Sequence, residues 1–187
     1  MSVGKTTILL VSNNLLLYDM EFPDDTVIRI NMAWIDDLDA LETTVSKISN
    51  RIFIDIPLGR MKPPNNQYSL YEIAPLLKKH PHIKYIAISN VEGGEVINKF
   101  RDALGPEINL VPKIETEAGV KNLKEIHLAL NEDAVMMLDR DDLFNDVMTK
   151  NGDVQTFIDL VNEIVSFCEL QDIRLLRTRG VIFSDDV

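Results

Sequence analysis

Ile108-Asn109-Leu110-Val111-Pro112-Lys113-Ile114, then Glu115-Thr116-Glu117-Ala118-Gly119-Val120, then a stripe of Leu123, Ile126, Leu128 and Leu130 leading to Ala134-Val135-Met136-Met137-Leu138, reads as one strand–helix–strand unit. The two outer runs are short and almost continuously apolar, as expected of strands covered on both faces. The stripe between them has helical spacing. On the first strand Lys113 and Glu115 point the same way, because side chains alternate with period two, and Ile114 points to the opposite face.

The same unit recurs outward in both directions. Further strand-like runs are Thr7–Val11, Thr26–Met32, Arg51–Ile56, Lys84–Ser89 and Ile173–Thr178, with Val181-Ile182-Phe183 trailing the last. Helical stripes separate them: Leu38, Leu41, Val45 and Ile48; Leu70, Ile73, Leu76 and Leu77; Val96, Ile97, Phe100 and Leu104, closed by Gly105-Pro106. Ser69 with Glu72 fits a capping box. The link from the first to the second run has room for one or two helical turns. No linker, repeat or low-complexity stretch interrupts the pattern, so residues 1–187 read as a single α/β domain. Repeated βα units predict a parallel sheet with right-handed crossovers, either doubly wound or closed as a barrel. About seven strands fall one short of an eight-stranded barrel.

Polar residues gather at one end of these strands, where sites lie in both parallel architectures. Arg29 and Asn31 share a face at the end of the second, Asp55 ends the third, and Thr178 ends the seventh. Lys113 and Glu115 form either a site or a surface ion pair on an edge strand. Asp139-Arg140-Asp141-Asp142 follows the sixth strand. Three carboxylates beside an arginine suit Mg²⁺ or Mn²⁺, hard cations that take oxygen ligands; the alternative is a solvated loop with Asp142 capping a helix. Gly4-Lys5-Thr6-Thr7 lacks the preceding strand and first glycine of a phosphate-binding loop. Gly93-Gly94 opens a helix and is either a plain loop or an anion site. His80, His82 and His127 have no zinc-ligand spacing.

Lys113-Ile114-Glu115-Thr116-Glu117-Ala118-Gly119-Val120 resembles the lysine-isoleucine-glutamate strand and helix of the pyruvate kinase catalytic domain, in the superfamily that includes the citrate lyase β-subunit and the pyruvate-forming aldolases. Val135–Leu143 is similar to the strand whose arginine-glycine-aspartate-leucine turn supplies the second metal ligand. Ile28-Arg29-Ile30-Asn31, Ile54-Asp55, Ile86-Ala87-Ile88-Ser89 and Leu176-Arg177-Thr178 resemble further strands in the same order, from about residue 7 to 179. The resemblance implies a parallel TIM-type (β/α) barrel, shortened or incomplete at about seven strands. It also implies that Glu115 and Asp142 bind Mg²⁺ or Mn²⁺, and that Lys113, Thr178 and Arg29 are catalytic. Asn31, Asp55 and Arg140 would contact the substrate, a 2-oxo acid or phosphoenolpyruvate-like anion. The implied activity is a divalent-metal-dependent lyase or aldolase acting through an enolate.

Four departures accompany it. Asp55 runs directly into Ile56-Pro57, leaving no room for the pyruvate kinase lid, and the carboxy-terminal regulatory domain has no counterpart. Phosphoryl transfer to ADP is therefore not expected, since nothing would close over the nucleotide. Ala33 replaces a small hydroxyl residue that helps hold potassium in the family. Asp141 stands where the family has glycine, beside the amides expected to bind the substrate carboxylate. The eighth strand is absent. These departures motivate an alternative: a catalytically decayed pyruvate kinase-like barrel serving as a small-molecule binding or assembly protein. Open strand edges predict a homo-oligomer that shields them.

Composition bounds the rest. The net charge of −11 opposes a nucleic-acid partner, which needs a basic face. No apolar run approaches a bilayer span, so no membrane partner is expected. The single cysteine, Cys168, falls in a helical stripe and reads as core packing. Together with the absence of a signal-peptide pattern it predicts a cytoplasmic location.

Overall fold

A computed structural model of the chain describes residues 8–17, 22–58, 64 and 68–177. Among the described residues, seven parallel strands lie side by side in chain order: β1 (Leu10–Ser12), β2 (Val27–Asn31), β3 (Arg51–Ile56), β4 (Ile83–Ile88), β5 (Asn109–Ile114), β6 (Val135–Leu138) and β7 (Arg174–Arg177). A doubly wound sheet reverses its direction of progression part-way across. This sheet never does, which overturns the doubly wound alternative. Right-handed crossovers in constant progression put every connecting helix on the same face.

The two faces are sorted by residue parity. Ile28, Ile30, Ile52, Ile54, Ile86 and Ile88 point to the helices and pack with Leu41, Val45, Ile73, Leu77 and Ile97. Each fully buried side chain of this size contributes roughly 1.5–3 kcal/mol. The alternate residues, Val27, Phe53, Tyr85, Ala87, Val111, Val135 and Met137, form a second core on the helix-free face. Phe53 and Tyr85 stack there with ring centroids 6.1 Å apart. A flat sheet would leave that face wet. Here Val27, Phe53, Ala87 and Val111 are completely buried, so the sheet curls and packs its concave face against itself. The result is an open, curled half-barrel with β1 and β7 at its two edges.

The helices follow their local signals. Asp37 caps α1 (Leu38–Ser46), and Ser69 and Glu72 complete the capping box of α2 (Leu70–Lys79). α3 (Gly94–Leu104) ends at Gly105, whose φ of 86° suits a residue without Cβ. The stripe after β5 is split in two: α4 (Glu117–Lys121) and α5 (Leu123–Leu128) meet at Asn122, whose side chain donates to the Glu92 carbonyl. α6 (Arg140–Thr149) and α7 (Val154–Leu170) follow β6. Among the described residues of the β1–β2 link, Asn13–Leu17 form a 3₁₀ segment. Gly119 is where α4 meets the β4 loop: a Cβ there would lie 2.7 Å from the Val91 carbonyl oxygen, so only hydrogen fits.

No helix among the described residues is long and apolar enough to cross a membrane. Cys168 is buried in α7, and burial pushes its thiol up to about 12, which leaves it protonated and inert. Thr178, the Gly4–Thr7 stretch and the Val181–Phe183 run lie outside the described residues.

Candidate metal centre at the strand ends

Concave-face parity carries several polar residues to the C-terminal end of the sheet. Arg29 and Asn31 on β2, Asp55 on β3, Lys113 on β5, and Ser89, Glu115 and Asp139 just beyond β4, β5 and β6 all project into one cleft of about 410 Å³. Register fixes their relative heights: Asn31 pairs with Asp55, and Lys113 with Met137. β5 lies between β4 and β6, and Lys113 and Glu115 are only 7% and 2% exposed. That rules out a surface ion pair on an edge strand.

Lys113 is the electrostatic centre. Its Nζ lies 2.6 Å from Glu115 Oε1, 3.7 Å from Asp55 Oδ1 and 3.6 Å from Asp139 Oδ2, and donates to Ser89 Oγ at 3.3 Å. Burial opposes its charge, but Asp55, Glu115 and Asp139 outweigh that and hold it above its ordinary value. Glu115 is held above the usual carboxylate range, because burial outweighs the help of Lys113 and of the Asn90 amide. The Asn90 amide donates to Glu115 Oε2 at 2.6 Å from a left-handed backbone, with φ of 53°.

Asp55 joins the two cations of the cleft. Its Oδ2 accepts from Arg29 Nε at 3.1 Å and pairs with the Arg29 guanidinium a second time, while Oδ1 faces Lys113. It is 2% exposed and serves chiefly to orient Arg29 and Lys113. Asn31 lines the cleft and caps the turn Met32–Trp34 by accepting from the Ala33 amide at 3.0 Å.

At the opposite wall, one oxygen each from Glu115, Asp139 and Asp142 lies within 4.8 Å of the others. The convergence expected of Glu115 and Asp142 is present, and Asp139 joins it. Asp139, not Asp142, caps α6, by accepting from the Asp142 amide at 3.4 Å. The signal for Asp139 was available: Val135, Met137 and Asp139 share the concave parity of Lys113 and Glu115. Arg140 is not brought to the cleft. As the first residue of α6 its guanidinium sits over the Phe157 ring of α7, 5.7 Å from the centroid. Asp141 is exposed and outside the lining, so its charge falls away from the cleft.

The three-carboxylate group fits a hard divalent cation. Oxygens that share one octahedral Mg²⁺ at about 2.1 Å lie about 3.0–4.2 Å apart, so these three, within 4.8 Å of one another, need only draw modestly together to hold one ion. Charge agrees: among the described residues, Asp55, Glu115, Asp139, Asp142 and Asp146 line the cleft against Arg29 and Lys113. The Gly93-Gly94 turn already has its anion. Glu125 Oε1 accepts from the Gly94 amide at 2.8 Å and occupies that helix start.

No protein-family model and no curated protein matches the chain. Among solved structures, the crystal structure of RipC from Yersinia pestis matches it with a TM-score of 0.62 at 15% identity, over 95% of this chain and 77% of that one. At that identity the likeness shows the fold alone.

Proposed function

We propose that the cleft is a Mg²⁺ or Mn²⁺ site for a lyase or aldolase reaction on a 2-oxo acid or phosphoenolpyruvate-like anion, proceeding through its enolate. In this reading the half-barrel is a shortened TIM-type barrel of the pyruvate kinase superfamily. The observation that carries the proposal is the convergence of Glu115, Asp139 and Asp142 beside a buried Lys113. When bound, the cation supplies Lewis-acid polarisation of the substrate carbonyl. Lys113 offers a desolvated positive charge to the negative charge that develops on that oxygen. Arg29, braced by Asp55, presents the second positive charge of the cleft to a carboxylate or phosphate. Burial of Lys113 and Glu115 lowers the dielectric around them and strengthens the interactions they make.

Deuterium exchange into the pyruvate methyl group, followed by NMR, tests this directly. The expected result is exchange above the buffer rate with Mn²⁺ or Mg²⁺, abolished by chelator. Exchange no faster than buffer under saturating metal would defeat the lyase reading.

One observation favours a second reading. Lys113 and Arg29 already contact Asp55, and Lys113 also contacts Glu115 and Asp139, so much of the cluster's charge is met from within the chain. A catalytically silent scaffold would keep such a network for stability and use its open edges at β1 and β7 for assembly. It predicts a homo-oligomer by light scattering, together with no metal-dependent exchange.

A further inference from the structure

We infer that Asp146 is a positioning residue that ties α6 to the start of α4 and thereby sets the separation of the carboxylates in the cleft. This inference rests on the metal-site reading for its functional meaning, but the tie itself can be measured without metal.

Asp146 lies one helical turn beyond Asp142 on α6, so both side chains face the cleft. Its Oδ2 accepts from the backbone amide of Glu117 at 2.9 Å. That amide is the first of α4 and has no partner within its own helix. Thr116 serves the third amide, accepting from Gly119 at 3.1 Å, and leaves the first to Asp146. Glu117 is two residues past Glu115 on the same turn. A single carboxylate on α6 therefore fixes the turn that carries Glu115 against the helix that carries Asp142 and is capped by Asp139. Lys150, one turn further on, lies 2.9 Å from both Asp146 oxygens but is half exposed, so this ion pair is screened by solvent and adds little to the tie. Asp146 itself is 16% exposed, so its hydrogen bond is partly shielded from competing water.

The reach of the tie extends across β5 to β4. Glu115 Oε2 accepts from the Asn90 amide, which Asp146 does not touch. If Asp146 sets the position of Glu115, loosening it frays that remote bond as well. A bond that merely finishes a helix end would leave Asn90 alone.

The experiment compares amide hydrogen exchange and Mn²⁺ calorimetry in the full chain, wild type against Asp146→Ala, Asp146→Asn and Lys150→Ala. In Asp146→Ala we expect exchange at both Glu117 and Asn90 to rise by roughly tenfold, the effect of losing one ordinary hydrogen bond. Mn²⁺ affinity should fall by a similar factor. Asp146→Asn keeps an acceptor oxygen and should restore both amides and most of the affinity. Lys150→Ala should change neither. Unchanged exchange at Asn90 in Asp146→Ala, or Asp146→Asn as loose as Asp146→Ala, would overturn the inference. No Mn²⁺ heat in wild type would instead defeat the metal reading, with the exchange result still deciding the tie.

Discussion

Lys113→Met should unfold far more easily than wild type, by about 3–5 kcal/mol, the usual cost of removing one partner from a buried ion network. For a chain of this length that is on the order of 10 °C in Tm. Methionine matches the lysine stem, so the loss is electrostatic and not a cavity. It strands Glu115, 2% exposed, without the cation that faces it, and leaves Asp55, also 2% exposed, with Arg29 as its remaining cation. The pH dependence has a definite sign. Lys113 is held above its ordinary value, so its contribution is complete at neutral pH and fades only as pH rises through that elevated value. Glu115 is held above the carboxylate range, chiefly by burial, so protonating it favours the folded state. The deficit of Lys113→Met should therefore shrink as pH falls and Glu115 takes up a proton. Mn²⁺ at a hundredfold excess over its Kd should return about 2.7 kcal/mol. Thermal melts with and without Mn²⁺ measure all three effects. A variant that melts with wild type at neutral pH would show that Lys113 does not hold the cluster together.

Much of this architecture is legible in the sequence, and for one physical reason. Strands covered on both faces become continuous apolar runs, which is why the Arg51–Ile56 run coincides with β3 to the residue. Their order across the sheet is not written in any run, because a parallel crossover has the same local pattern whichever neighbour it joins. Only the pairing of β1 through β7 in sequence separates a curled sheet from a doubly wound one. Lys113 and Glu115 are legible by parity on a single strand. The bridge made by Asp55 is not, since its partners come from β2 and β5 and meet only after the sheet has curled. Arg140 shows the opposite hazard. It stands between Asp139 and Asp142 in the chain, yet one residue of helix rotates a side chain by about 100°. That rotation carries Arg140 to Phe157 on α7, away from the cleft. Sequence adjacency binds residues to one face on a strand only at even spacing, and on a helix only at three or four.

Three neutralising substitutions then separate ligands from neighbours. Glu115→Gln should lower Mn²⁺ affinity by more than about a hundredfold, because even the outer partners of metal ligands typically cost 10–100-fold. Glutamine cannot keep the present arrangement. Glu115 Oε1 faces the Lys113 ammonium and Oε2 accepts from the Asn90 amide, so one of these donors would meet the amide –NH₂. Asp142→Asn removes a carboxylate from the first turn of α6, with a modest further cost of about 0.3–1 kcal/mol from the helix dipole. Asp139→Asn is the most informative of the three. Asparagine caps helices as well as aspartate, so α6 should stay intact while the charge disappears. A loss of affinity in Asp139→Asn comparable with that of Asp142→Asn means that all three carboxylates hold the cation. Wild-type affinity in Asp139→Asn reduces Asp139 to a helix cap and leaves the two-ligand set of Glu115 and Asp142. Calorimetry on the three variants distinguishes these outcomes. Equal Mn²⁺ heats in all three and in wild type would place any bound cation somewhere other than this cleft.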